Sequence, residues 1–310
     1  MTDVTTLNAL PHLISPINLD KAIVEWLSED IPAFDCGGAV VGAGMTTAKI
    51  FVKSQCVLSG VPFAEGVIKK LGCSVKWLVP EGRLITPGKF GKPKKVVAGI
   101  VTGPAIRLLQ AERTVLELLT RSSACASYAR LCKESALLAN PTWQGKVAAT
   151  RKTTPGFIRA VEKYGAQVGG ADPHRYSLSS MVMLKDNNID IAGGSISKAV
   201  QQARELCGFS VKIEVECRSE QDAITACKAG AEVVMLDNFS PQHVYECAPG
   251  IKKQFPHVTI EVSGGINENT IGSYAVPGVD VISIGKITHG PPPCDISMKV
   301  ATPPTGVSKL

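Results

Sequence analysis

The stretch that decides the fold is His174-Arg175-Tyr176-Ser177-Leu178-Ser179-Ser180-Met181-Val182-Met183-Leu184-Lys185-Asp186-Asn187-Asn188. Met181 to Leu184 are continuously apolar, the pattern of a parallel strand covered on both faces, and Lys185-Asp186-Asn187 follow at its C-terminal end. His174 and Arg175 precede the strand by a few residues, so three positive or potentially positive groups can converge on one anion. The same stretch also fits a plain buried strand with a solvated polar exit, and the units around it have to decide.

Working outward, the pattern repeats. Lys146 to Lys152, Met181 to Asn187, Val211 to Cys217, Glu232 to Asn238, Val258 to Gly264 and Val279 to Gly285 read as strands, with helices such as Ser195 to Glu205 and Glu220 to Ala229 between them. Strand and helix alternating at a spacing of roughly 20 to 35 residues predict a parallel sheet, closed or nearly closed into a barrel. Nearly every strand ends in reactive residues: Thr150-Arg151-Lys152, then Lys185-Asp186-Asn187, Glu214 and Glu216, Asp237-Asn238, Ser263-Gly264-Gly265, and finally Ser283 and Gly285. In a β/α barrel all C-terminal strand ends open on one face, so these clusters become one site.

Upstream the organisation differs. Residues 18–29 carry apolar side chains at 19, 22, 23, 26 and 27, the spacing of an amphipathic helix, which Pro32 closes. Short β-branched runs at 48–58, 74–79 and 96–102, with a helical stretch near 66–71 and turns at Gly82 and Pro87-Gly88, predict an α+β lobe. Two helices follow, 108–119 and 124–138. The expected domains are a lobe over 1–125, joined by the tail 290–310, and a catalytic barrel over 126–289.

The chain has 310 residues, enough for two domains, with 45% hydrophobic and 19% charged residues and a formal charge of +6. Lys and Arg are dispersed and not set in an aromatic-interleaved stripe, which favours an anionic metabolite and argues against nucleic acid. The ten cysteines form no close CxxC pair, so they read as reduced thiols packed as small hydrophobes in a cytoplasmic protein. No secretory signal is evident, and no apolar stretch of roughly 18 residues offers a membrane span.

The strand-end residues suggest their chemistry. Gly264, Gly265 and Gly285 suit backbone N–H donation to a phosphate, with the Ser263 hydroxyl beside them. Glu216 and Asp237 end neighbouring strands and can hold one hard cation such as Mg²⁺. Glu214 shares the parity of Glu216 and faces the barrel interior, where it either adds to these carboxylates or pairs with an interior cation. Arg151, Lys152, His174, Arg175 and Lys185 give a dense positive lining, suited to a polyanionic substrate with Mg²⁺ and to a second one bearing carboxylates.

Thr150-Arg151-Lys152-Thr153-Thr154-Pro155-Gly156, Glu162-Lys163-Tyr164, His174-Arg175, Lys185-Asp186-Asn187, Glu214-Val215-Glu216, Leu236-Asp237-Asn238-Phe239 and Ser263-Gly264-Gly265-Ile266 resemble the quinolinate phosphoribosyltransferase family over nearly the whole chain. Trp26-Leu27-Ser28-Glu29-Asp30 and Gly60-Val61-Pro62-Phe63 look most similar to its fungal members. The resemblance implies a partly open α/β barrel of the type II phosphoribosyltransferase kind, an amino-terminal α+β lobe, and a homodimer or higher homo-oligomer with shared sites. It implies that Arg151, His174, Arg175 and Lys185 bind quinolinate, with Arg113 donated by a neighbouring subunit. It assigns Lys152, Lys185, Glu216 and Asp237 to catalysis, Glu216 and Asp237 to Mg²⁺, and Ser263, Gly264, Gly265, Gly285 and His289 to phosphate. The implied reaction transfers phosphoribosyl from phosphoribosyl pyrophosphate to quinolinate with loss of CO₂, giving nicotinate mononucleotide for NAD biosynthesis.

Several motif positions depart from the family pattern: Ile158 where Arg is usual, Ser177 for Asp, Asn188 for His, Glu117 for Asn, and Ala124 after Ser123 in place of Gly. Were these positions in the pocket, each altered unit charge at about 4 Å would change an interaction by up to roughly 4 kcal/mol at an effective dielectric near 20. They therefore leave open a diverged enzyme of the same fold acting on another pyridine carboxylate, and a non-catalytic partner subunit that donates Arg113.

Overall fold

The computed structural model describes residues 4–88 and 93–301. In chain order the elements are α1 (Val4–Ala9), a 3-10 turn (Leu10–Leu13), α2 (Pro16–Asp30), α3 (Cys36–Val41), β1 (Met45–Val52), β2 (Cys56–Val57), α4 (Val61–Lys70), β3 (Ser74–Trp77), β4 (Leu84–Ile85), β5 (Val96–Pro104) and α5 (Ala105–Ala139). Then come β6 (Lys146–Ala148), α6 (Ile158–Val168), β7 (Val182–Leu184), α7 (Asp186–Ile191), α8 (Ile196–Cys207), β8 (Ile213–Cys217), α9 (Glu220–Ala229) and β9 (Val233–Asp237). The chain finishes with α10 (Pro241–Gln254), β10 (Thr259–Ser263), a 3-10 turn (Ile271–Tyr274), β11 (Val281–Ser283), α11 (Lys286–His289) and β12 (Ile296–Val300).

These elements form two compact units. The first takes the chain up to Tyr128, Thr153–Gly169 and the chain from Pro291 on; the second takes Ala129–Lys152 and Gly170–Gly290. Residues 153–169, expected in the barrel, therefore belong to the first unit. The reason is local: Val161, Tyr164 and Val168 are buried in that unit's core with Phe63, Leu108 and Leu119. Polar ties reinforce this, because the fully buried Glu162 carboxylate accepts from Arg121 Nε and Nη2 (both 2.8 Å), Thr154 N (3.0 Å) and Thr154 Oγ1 (2.6 Å). A buried carboxylate needs such partners to offset its desolvation.

In the first unit β12-β1-β5-β3 form an antiparallel sheet, with the tail strand β12 registered against β1 from Val52↔Ile296 to Ala48↔Val300. Residues 302–310 of the tail lie outside the described residues. The two helices expected over 108–138 are one helix, α5. The interruption of the apolar pattern at Arg121-Ser122-Ser123 contains no helix breaker, and its hydroxyls dock a loop. Ser123 Oγ accepts from Ser59 N at 2.9 Å and donates to Ser59 O at 3.1 Å, while Ser122 and Ser59 hydroxyls bond at 2.8 Å. The Glu81 carboxylate then accepts from Gly60 N (2.7 Å), Val61 N (3.0 Å) and the Tyr164 hydroxyl, which fixes the start of α4.

The second unit is the predicted β/α repeat. Its six strands are parallel in the order β6-β11-β10-β9-β8-β7, and an isolated bridge pairs Asp172 with Ala148 of β6. Among the described residues β6 and β7 share no ladder, so the barrel-like sheet is open there. Along each strand the side chains alternate. Ile213, Val215, Val234, Leu236, Ile260, Val262 and Ile282 are fully buried on one parity, whereas Glu216, Met235, Asp237, Glu261, Ser263 and Ser283 line an interior cavity on the other. Strands proper are shorter than the sequence runs, because their last residues leave the ladder to form the cavity rim. No helix among the described residues is long and apolar enough to cross a membrane.

Gly165 in α6 tests this packing. A Cβ there would lie 2.4 Å from the Ser122 carbonyl oxygen and 3.0 Å from Cys125 Cβ. On helix propensity alone Gly165→Ala would stabilise by about 1 kcal/mol. The close crossing reverses the sign: the variant is expected to lose about 2 kcal/mol, read as a lowered thermal midpoint.

Candidate active site

A cavity of about 460 Å³ opens in the second unit at the C-terminal ends of its strands. Of the expected residues it is lined by Arg151, Lys152, His174, Arg175, Lys185, Glu216, Asp237, Ser263, Gly264, Gly265 and Gly285. Six separate strand ends thus contribute to one site. His289 is not among the lining residues; its ring stands behind Gly285, 3.2 Å from where a Cβ on that glycine would lie. Arg113 belongs to the first unit, where its exposed guanidinium pairs with Glu117 at 3.6 Å.

The floor is a buried acid–base cluster that the sequence showed only in part. His174 Nε2 lies 3.1 and 3.2 Å from the Glu261 oxygens and 4.0 Å from Glu214 Oε2. His174 Nδ1 accepts the Arg175 backbone N–H at 2.7 Å, so the ring proton is assigned to Nε2, which donates to Glu261. That tautomer explains why these three residues, although their ligand atoms lie within 4.8 Å of one another, make a proton-sharing cluster and a poor metal cage. A metal at Nε2 would require a ring stripped of both protons.

His174 itself is held in the left-handed region, φ 56°, by Asp172 Oδ1, which accepts its backbone N–H at 2.7 Å. Both Glu214 oxygens are buried without a hydrogen-bond partner, and burial, aided by the Glu261 charge, pushes its pKa up to about 9. Burial, aided by Arg151, lowers the pKa of Arg175. Arg175 donates to Met181 O at 3.1 Å and reaches Met183 Sδ at 3.4 Å.

Nearer the mouth, Lys185 Nζ forms an ion pair with Glu216 Oε2. Asp237, on the neighbouring strand β9, accepts from Asn238 Nδ2 at 2.6 Å; burial and the Glu216 charge raise its pKa. Two oxygen donors on adjacent strands, one of them strained electrostatically by the other, fit a hard divalent cation. Opposite them, Gly264 is at φ +104° and a Cβ would strike Asn238 Oδ1 at 2.3 Å, while Gly265 at φ +62° has nothing within 4 Å of a Cβ position. The turn therefore leaves an open concavity beside Ser263 and the buried, unpartnered Ser283 hydroxyl.

The departures have local explanations. Asn188 Oδ1 accepts the Lys185 backbone N–H at 3.0 Å, capping α7. Ser177 bonds the Ser180 hydroxyl at 3.2 Å in the loop before β7, and neither Ser177 nor Asn188 lines the cavity. Ile158 packs on the core of the first unit, and its neighbour Arg159 donates Nε to Thr153 Oγ1 at 3.1 Å. Nothing in the structure explains why Ala124 replaces glycine beyond its burial. The thiols are free and, apart from Cys36 and Cys207, buried.

The sequence reading missed Glu261 and Met235. Glu261 had a signal: it stands two residues before Ser263 on β10, the same parity, and so faces the same interior.

Comparison with known proteins places these motifs among relatives. Residues 37–123 match the description "Quinolinate phosphoribosyl transferase, N-terminal domain", and residues 126–299 match "Quinolinate phosphoribosyl transferase, C-terminal domain". A nicotinate-nucleotide pyrophosphorylase [carboxylating] of Dictyostelium discoideum is 43% identical over 298 residues, 94% of this chain and 98% of that protein. One from Homo sapiens is 44% identical, covering 94% of each. Among solved structures, the nicotinate-nucleotide pyrophosphorylase from Francisella tularensis superposes with a TM-score of 0.81 at 31% identity, covering 93% of this chain and 98% of that one.

The floor cluster predicts a pH dependence. Glu214 has a folded pKa raised from 4.5 to about 9, so the folded state holds a proton that the unfolded state releases. Its stabilising contribution is complete below about 4.5 and falls as pH rises toward 9, by about 1.4 kcal/mol per pH unit. Thermal melts across this window should show the wild type losing stability more steeply than Glu214→Gln, which mimics the protonated carboxyl at every pH.

Proposed function

The chain belongs to the quinolinate phosphoribosyltransferase family, and from that premise we propose that it joins the pyridine nitrogen of quinolinate to C1 of phosphoribosyl pyrophosphate. Pyrophosphate and CO₂ leave, and the product is nicotinate mononucleotide, a precursor of NAD. The relatives' name, nicotinate-nucleotide pyrophosphorylase [carboxylating], describes the same equilibrium read from the product side. The observation that carries the reading is the single cavity in which a cationic cluster, an acidic pair and a glycine turn meet.

Arg151 and Arg175 bind the substrate carboxylates at the floor, where partial burial strengthens each contact, while His174, its Nε2 proton given to Glu261, holds the Arg175 backbone N–H in place. Neutral Glu214 serves this role: a second full negative charge beneath the dicarboxylate would repel it. Ser263 and the backbone N–H groups at Gly264, Gly265 and Gly285 take the phosphate of the ribosyl donor, with Lys152 beside Gly285 and the His289 ring supporting that glycine from behind. Glu216 and Asp237 would hold Mg²⁺, which when bound neutralises charge on the departing pyrophosphate. The same carboxylates stabilise positive charge growing at the ribose carbon as the pyridine nitrogen approaches in line.

Once the nitrogen is alkylated, the ring carries positive charge and accepts the electron pair of the breaking bond to the 2-carboxyl. CO₂ departs and a proton takes its place at C2. Lys185 and Arg175 hold the remaining 3-carboxylate through this step. We infer further that the enzyme is cytoplasmic and works as a homo-oligomer, with Arg113 of a second copy completing the carboxylate clamp; the exposure of Arg113 supports that role.

Incubation of the purified protein with quinolinate, phosphoribosyl pyrophosphate and Mg²⁺ should release CO₂ and nicotinate mononucleotide in equal amounts. Arg175→Met should lower kcat/KM for quinolinate about thirtyfold, the ~2 kcal/mol of a hydrogen bond to a charged group. An inactive wild type, or turnover of a different pyridine acid in preference to quinolinate, would refute the assignment.

A further inference from the structure

Lys185 is placed to serve two partners in turn. Its backbone is fixed: the N–H is held by Asn188 Oδ1 at 3.0 Å, and the residue sits at the start of α7 immediately after β7. Its side chain is half exposed and carries a flexible four-carbon stem, while the Glu216 it pairs with is nearly buried, at 50% and 10% exposure. The ammonium therefore occupies the acidic pair at the mouth of the cavity. It stands beside the carboxylates of Glu216 and Asp237 that a divalent cation would take, with one positive charge where the metal would bring two.

The two occupants exclude each other on charge. With Lys185 on Glu216, one of the two carboxylates of the acidic pair is balanced. A divalent cation on the same carboxylates repels the ammonium. The stem is long enough, and the anchor firm enough, for the side chain to turn within the cavity that it already lines with His174 and Arg175. There a substrate carboxylate, lying between the ammonium and the buried acids of the floor, attracts it.

We propose that Lys185 is a positioning switch, held by Glu216 when the acidic pair lacks a metal and handed to the pyridine dicarboxylate when a divalent cation takes that pair. Metal and pyridine acid then bind cooperatively, although no atom need join them. Each frees the partner of the other. Asn188, one of the departures from the family pattern, acts here as the backbone anchor from which the side chain swings.

The inference rests on reading the cavity as the quinolinate site, and calorimetric titration of quinolinate into the protein separates the two. For the wild type, millimolar Mg²⁺ should tighten quinolinate binding about tenfold relative to EDTA, the worth of one charge-assisted hydrogen bond. Glu216→Gln releases Lys185 without any metal, so it should bind quinolinate in EDTA as tightly as the wild type does with Mg²⁺, and ignore Mg²⁺. Lys185→Met should bind weakly under both conditions. Asp237→Asn leaves the Lys185–Glu216 pair in place, so it should match the wild type in EDTA and respond less to Mg²⁺.

A wild-type affinity indifferent to Mg²⁺, or weaker binding by Glu216→Gln than by the wild type in EDTA, overturns the switch while leaving the site assignment standing. Absence of quinolinate binding in every condition overturns the assignment and the switch together.

Discussion

Glu214 and Glu261 face the interior of a sheet whose other side is packed with aliphatic residues, and this placement of acid in the core constrains everything above it. Two carboxylates cannot both stay charged there without compensation. One is compensated by protonation, as the raised pKa of Glu214 shows, and the other by the His174 N–H. The ring can donate in that direction because the Arg175 backbone fixes its tautomer, and Asp172 holds the strained backbone that makes this geometry possible. Each contact depends on the one beneath it.

From that floor the cavity grades toward water. Arg175 is partly buried and anchored to Met181 O, Lys185 is half exposed, and the glycine turn at the rim leaves open space. The gradient suits a small aromatic diacid below and a flexible phosphorylated sugar above. Rigid contacts orient the first, and mobile or backbone groups receive the second. The chemistry is spread over the ends of several strands, so the sheet sets its geometry and the loops supply its adaptability.

Much of this was legible in the sequence, for identifiable reasons. Parallel strands buried on both faces leave continuous apolar runs, and the polar residues at their ends pointed to one shared mouth; that logic located Asp237, Ser263 and Gly264 without coordinates. The apolar pattern divides α5 in two because Ser122 and Ser123 interrupt it, and only tertiary structure reveals that those hydroxyls hold Ser59. The segment 153–169 follows the first barrel strand in sequence yet groups with the first compact unit, because its attachment runs through Glu162, Arg121 and Glu81, residues distant in sequence. The positive lining is present as expected, but its internal partners are not visible in the sequence. Without substrate, the fold pairs Lys185 with Glu216 and His174 with Glu261.

The proposed division of labour between the two acidic groups is the centre of the account: Glu216 and Asp237 would hold metal, while Glu214 and Glu261 manage a proton. A crystal structure with quinolinate and Mn²⁺, read by anomalous scattering, tests it directly. The account predicts a manganese peak between the Glu216 and Asp237 carboxylates, none beside His174, and the quinolinate carboxylates against Arg151 and Arg175. A manganese peak among His174, Glu214 and Glu261 would contradict it.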